Sequence, residues 1–88
     1  MGRIRRRKGN RIPVAIETPI VICIYGGRIE GHVIDESDSG VGAIFPGGSG
    51  LKVGQIVRIL LNRDRRMGKV GRIELRDGKD FVGIKLTN

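Results

Sequence analysis

From residue 14 to residue 24 the even positions read Val14, Ile16, Thr18, Ile20, Ile22 and Ile24, a two-residue period that suits a strand with one face in a core. Pro19 breaks the run, and because proline donates nothing to a ladder, an edge position or a bulge is expected there. Gly26-Gly27 then reads as a two-residue hairpin turn, after which Ile29, Gly31 and Val33 carry the inward face of a second strand. If Tyr25 opposes Arg28, Ile24 falls opposite Ile29 and Ile20 opposite Val33, which joins apolar face to apolar face.

Further along, the pattern predicts a third strand at Val41 to Phe45, a PGGSG loop at 46 to 50 and a fourth strand at Gln55 to Asn62. A basic connection, NRDRRMG, leads to a fifth strand at Lys69 to Arg76, and an Asp-Gly turn leads to a sixth at Phe81 to Leu86. In that last strand Val82, Ile84 and Leu86 alternate with Phe81, Gly83 and Lys85. Fifteen glycines punctuate the strands, and no helical period occurs. Six antiparallel strands without a covering helix would leave open edges unless the sheet closes. The expected fold is therefore all-β: a small six-stranded antiparallel barrel over residues 12–88, preceded by a flexible basic arm at 1–11.

Charge sharpens the picture of that arm. The chain of 88 residues carries a formal +8. Arg3, Arg5, Arg6, Arg7, Lys8 and Arg11 put six of the 17 cations, and none of the nine anions, into the first eleven residues. The rest of the chain is left with eleven cations against nine anions. A positive field concentrated on one segment calls for an anionic partner, with nucleic acid, nucleotide, acidic protein and anionic lipid all open on charge alone.

Candidate catalytic chemistry is sparse. The single histidine, His32, shares the polar face of the second strand with Arg28 and Glu30, where a solvated role is the ordinary one. Cys23 is expected to face away from the inward stripe with no histidine placed to activate it. One His and one Cys give no zinc-site spacing, and the carboxylates form no metal-binding loop. A binding module without catalytic residues, metal or cofactor is expected.

A lone cysteine fits a reducing, cytoplasmic setting most simply, either as a free-standing chain or as the cytoplasmic part of a larger membrane protein. No apolar run approaches the roughly 18 to 20 residues that span a bilayer.

The stretch DESDSG, residues 35 to 40, is the second informative feature. Continuing the hairpin register sets Asp35 opposite Thr18, Ser37 opposite Ile16 and Gly40 opposite Pro13, so this loop emerges beside the point where the basic arm enters the barrel. Asp35 and Ser37 then fall on the inward parity at an open end of the core, where a carboxylate and a hydroxyl need polar partners. Simple Asx and Ser turns would also account for them.

Taken together, Arg7, Arg11, Asp35, Ser37 and Gly40 match the RxxxR and [D/N]xSxxG motifs of the PilZ family, and the strand pattern of residues 12 to 87 resembles its barrel. RxxxR carries no weight alone, because it occurs three times, at Arg3/Arg7, Arg7/Arg11 and Arg72/Arg76. Only the second pair lies just before the first strand, and DxSxxG directly after the second strand makes the joint pattern specific. The ending GKDFVGIKL also resembles the family's final strand. Two departures are Ser39, where many members have glycine, and the lack of the frequent C-terminal helix.

The resemblance implies a receptor for the bacterial second messenger cyclic di-GMP; its arginine arm is expected to fold over the barrel mouth on binding and so to signal to a neighbouring effector domain or partner protein. It implies that Arg7 and Arg11 meet guanine and phosphate, that Asp35 accepts from guanine N1–H and N2–H₂, that Ser37 joins either partner, and that Gly40 permits close backbone approach. Arg6, immediately before the motif, stands where the family's binders of a stacked ligand pair carry arginine, which implies two ligands per protomer.

The main alternative is a small basic barrel that binds RNA or single-stranded DNA. Such barrels interleave cations with exposed aromatics for base stacking, and here only Tyr25, Phe45 and Phe81 exist, so no nucleic-acid partner is expected. The basic cluster of Arg63, Arg65, Arg66, Lys69, Arg72 and Arg76 has no role in the nucleotide reading; a solvated face or a docking surface for an acidic partner would explain it.

Overall fold

The structure, a computed structural model, describes residues 12–87, with side chains from Thr18 onward. It is built of six strands: β1 (Ile12–Ile24), β2 (Gly27–Glu36), β3 (Gly40–Pro46), β4 (Ile56–Leu61), β5 (Asp64–Arg76) and β6 (Lys79–Leu86). They close into an antiparallel barrel in the order β1-β2-β3-β6-β5-β4, with β4 returning to β1. Closure gives every strand two neighbours, and among the described residues there is no helix.

The two-residue period does set the core. Ile20 and Ile22 of β1, Val33 of β2, Val41, Ala43 and Phe45 of β3, Val57 and Ile59 of β4, Val70 of β5, and Val82 and Ile84 of β6 are buried together. Leu51 joins them from the loop between β3 and β4. Gly31 also belongs to this interior: a Cβ there would collide with the Ile44 carbonyl and stand 2.5 Å from the Phe45 ring, so the glycine makes room for the largest core side chain. The same loop is held by Asp80, a buried carboxylate that accepts from the backbone N–H of Ser49 at 3.2 Å and from its hydroxyl at 2.5 Å.

The first hairpin differs from its expected register by two residues. Ile24 pairs with Gly27, Ile22 with Ile29 and Ile20 with Gly31, so Tyr25-Gly26 forms the turn and Gly27 already belongs to β2. Gly26 takes the positive φ (87°) that the turn demands, while Gly27 does not. A shift of two preserves the faces, so the inward assignments survive it.

Pro19 pairs with His32 on one side, while the β4 ladder on its other side begins only at Ile20, so the proline sits where a missing N–H costs no ladder bond. The irregularity in β1 lies earlier, between Pro13 and Thr18.

The basic connection NRDRRMG is not a loop. Asn62 and Arg63 alone make the turn, with φ of 52° and 76°, and Asp64 to Gly68 extend β5 against β4. Two successive left-handed residues give the twist of a tight hairpin, which frees the following residues to pair. Asp77-Gly78, with φ of 51° and 74°, makes the equivalent turn between β5 and β6 as expected.

Candidate functional site

Asp35 does not follow the inward parity. The β2–β3 ladder runs Val33 opposite Ala43 and then Asp35 opposite Gly42, leaving Ile34 as an extra residue. This bulge transfers the carboxylate to the outer face, in line with Gly42, while Val33 and Ala43 remain in the core. The expected pairings also change: Asp35 lies opposite Pro13 and Glu36 opposite Ile12, whereas Thr18 pairs with Val33. The half-buried Asp35 is therefore fixed on the barrel exterior beside the start of β1, whose position 13 is two residues along the chain from Arg11. Arg6, Arg7 and Arg11 themselves lie outside the described residues.

Ser37 and Gly40 shape the loop that follows. The Ser37 backbone N–H donates to the Gly40 carbonyl at 2.8 Å, and its hydroxyl leans on the same oxygen at 3.4 Å, so this serine closes its own turn. Gly40 is buried against β6, where an added Cβ would stand 2.6 Å from the Ile84 carbonyl oxygen. The close approach that demands glycine at this position is thus to the neighbouring strand. Ser39 is exposed, avoids the left-handed region, and accepts at its carbonyl from the Leu86 N–H at 2.8 Å, which explains why serine is tolerated there. The loop is consequently fastened to the end of β6 and offers little freedom of its own.

The ladder registers place four residues in one row across the outer face: Asp35 on β2, Gly42 on β3, Gly83 on β6 and Arg72 on β5. With strands about 4.8 Å apart, the carboxylate-bearing and guanidinium-bearing ends of the row stand about 14 Å apart, and the two positions between them carry no side chain. A bulge in β5, between Val70 and Arg72, brings Arg72 into this line. In the next row Phe81 is paired with Ile44 on one side and Glu74 on the other. Arg76 lies over the Phe81 ring at 4.1 Å and pairs with Glu74 at 3.7 Å.

Two shallow hollows share this surface. One, of about 130 Å³, is lined by Asp35, Gly42, Arg72, Glu74, Arg76, Phe81 and Gly83 among others. The second, of about 400 Å³, is lined by Ser39, Gly40, Gly71, Arg72, Gly83, Ile84 and Lys85. A roomier depression of about 560 Å³ lies between Cys23, Ile24 and Tyr25 on one side and Gln55, Ile56, Arg58 and Met67 on the other. Its lining has Arg58 as its one charged group, and none of the motif residues reaches it. Among the described residues no group of His, Cys, Asp and Glu could hold a metal ion.

Arg72 and Phe81 were not expected at the site. Alternation along β5 puts Arg72, Glu74 and Arg76 on one face, which is legible, but that β5 lies beyond β6 from β3 is a matter of strand order and not of local pattern.

No family model matches the chain, and no curated protein matches it. Among solved structures, that of YcgR from Escherichia coli, in complex with c-di-GMP, superposes with a TM-score of 0.75 at 15% sequence identity, covering 97% of this chain. The chain spans 39% of the length of that neighbour. The barrel is accordingly PilZ-like in fold.

Proposed function

We propose that this chain is a binding module for cyclic di-GMP and not an enzyme, and that ligand capture by the N-terminal arginines across the barrel exterior alters what it presents to a neighbouring domain or partner. The observation that carries this reading is the pairing of Asp35 with Pro13 on the outer face, which brings the acidic end of one motif to the strand that the arginine arm enters. Support also comes from the shared fold with a structure holding this ligand.

The chemistry of the ligand divides between the two motifs. An ionised Asp35 accepts from guanine N1–H and N2–H₂, while Arg7 and Arg11 fork onto guanine O6 and N7, stack on the base, or pair with a phosphodiester. Two such arginine contacts supply about 2 to 6 kcal/mol, and micromolar affinity needs about 8 kcal/mol net. Carboxylate and backbone contacts must therefore contribute, the more so because ordering the arm has its own entropic cost. Ser37 acts in this reading by holding the turn that presents its neighbours.

Calorimetric titration with c-di-GMP tests the proposal. Saturable binding is expected in the wild type, with a loss of at least about tenfold in Arg11→Ala and in Arg11→Lys alike, since an ammonium neither forks nor stacks. A stoichiometry near two would support the assignment of Arg6 to a second ligand. Excess mixed-sequence RNA should leave the binding nearly intact; displacement by RNA, with steep salt dependence, would favour the nucleic-acid barrel instead.

A further inference from the structure

Glycines at the strand crossings of this barrel fall into two kinds. At Gly31, Gly40 and Gly68 an added Cβ would meet its nearest neighbour at 2.6 Å or less, so packing requires glycine. At Gly71 and Gly83 the nearest atom would stand 3.7 Å away, an ordinary contact, and neither residue takes a positive φ. Neither Cβ clearance nor φ demands glycine at these two places, although Gly71 is the extra residue of the β5 bulge, where glycine is common, and within a regular strand glycine weakens the ladder. Both nevertheless line the same 400 Å³ hollow, with Arg72 and Lys85 beside them.

The two cations differ from Arg76 in being uncommitted, as is Lys69 opposite Lys85. Arg76 is occupied by Glu74 and by the Phe81 ring. Among the described residues the side chains of Arg72 and Lys85 have neither an ion-pair nor a hydrogen-bond partner. Lys85 pairs with Gly40 on one side and with Lys69 on the other, so no anion faces it from either flanking strand. Ser39 contributes a hydroxyl at the rim. A shallow hollow with a backbone floor, two free cations and no carboxylate in its lining suits a compact anion.

We infer that this hollow seats a phosphodiester of the cyclic dinucleotide, with Arg72 as a further ligand-binding residue that divides a phosphate seat at Gly71, Gly83 and Lys85 from a base seat beside Asp35. The inference rests on the proposed function and deepens it, because it adds a cation carried by the barrel itself to those carried by the arm. Arg72 and Gly83 line both hollows, and of the two only Arg72 carries a side chain to stand between phosphate and base. Gly83 lies in the row directly between Arg72 and Gly42, so a branched side chain there would fill the seat.

Titration of Arg72→Ala, Arg72→Lys and Gly83→Val with c-di-GMP, each checked by thermal melting, tests the assignment. Loss of one charge-assisted contact predicts affinity about ten- to hundredfold weaker in Arg72→Ala. Arg72→Lys should stay within about threefold of wild type, since a phosphodiester accepts a point charge. Gly83→Val should melt at or above the wild-type temperature and bind at least about tenfold more weakly, because valine favours a strand and blocks the floor.

If Arg72→Ala and Gly83→Val bind as the wild type does while Arg11→Ala and Asp35→Ala lose the ligand, the phosphate seat is wrong and the receptor reading stands. Failure of Arg72→Lys as complete as that of alanine would also overturn it, placing a base and not a phosphate on Arg72. A wild-type chain that does not bind c-di-GMP removes both.

Discussion

Strands β2 and β6 carry similar alternating patterns, yet only one of them keeps its alternation to the end. In β6, Val82 and Ile84 face the core and Phe81, Gly83 and Lys85 face out, with Leu86 still packed on the interior. In β2 the order holds through Val33 and is then broken by the extra Ile34, after which Asp35 stands on the outer face. The difference teaches that side-chain facing can be read along a strand only as far as the ladder is regular. Here the irregularity falls immediately before Asp35, the first residue of the DxSxxG motif. A regular β2 would have aimed a carboxylate inward among Val33, Val41 and Ala43, at the cost of several kcal/mol for an unpaired buried charge.

The sharpest way to test this contrast is truncation at a position of unbroken parity. Ile84→Ala, which empties a buried site at the centre of β6, is expected to cost about 2 to 5 kcal/mol, a large share of what so small a domain possesses. Urea denaturation followed by far-UV circular dichroism reads it directly.

A smaller effect is expected where the turn after β2 meets β6. Gly40→Ala should cost about 1 to 3 kcal/mol, since its Cβ must push aside the backbone at Ile84, whereas Gly83→Ala on the same sheet should be neutral or stabilising by up to about 1 kcal/mol. Equal costs at the two glycines would contradict the packing described here.

Least of all should be the stability change in Asp35→Ala, under about 1 kcal/mol, because the residue faces outward and is only half-buried. Under the proposed function its effect is expected on c-di-GMP affinity instead. A destabilisation comparable with that of Ile84→Ala would mean that the carboxylate is part of the interior after all.

Much of the architecture was legible in the chain. The valines and isoleucines at alternate positions marked the inward faces of β1, β6 and β2 as far as Val33, because a residue period of two has only two faces and one of them is apolar; in β5 the bulge after Val70 moves the inward position to Ile73. Asp77-Gly78 marked its own turn, and the absence of a helical period left closure as the way to satisfy six strand edges. Local signals were weaker where two readings of similar energy competed. Gly26 and Gly27 could each have occupied the turn, and the charges of NRDRRMG read as a loop although Asn62 and Arg63 suffice to reverse the chain.

What the candidate site required lay beyond any local pattern. The motif residues were visible as residue types at a spacing, but the face on which Asp35 stands was set by an unpaired Ile34 between two ladders. That Arg72 shares a row with it depended on β6 intervening between β3 and β5. Alternation is a property of one strand and is written in its own residues. Bulges and strand order arise from how separate strands satisfy one another's hydrogen bonds around a closed sheet, and only the assembled barrel decides them.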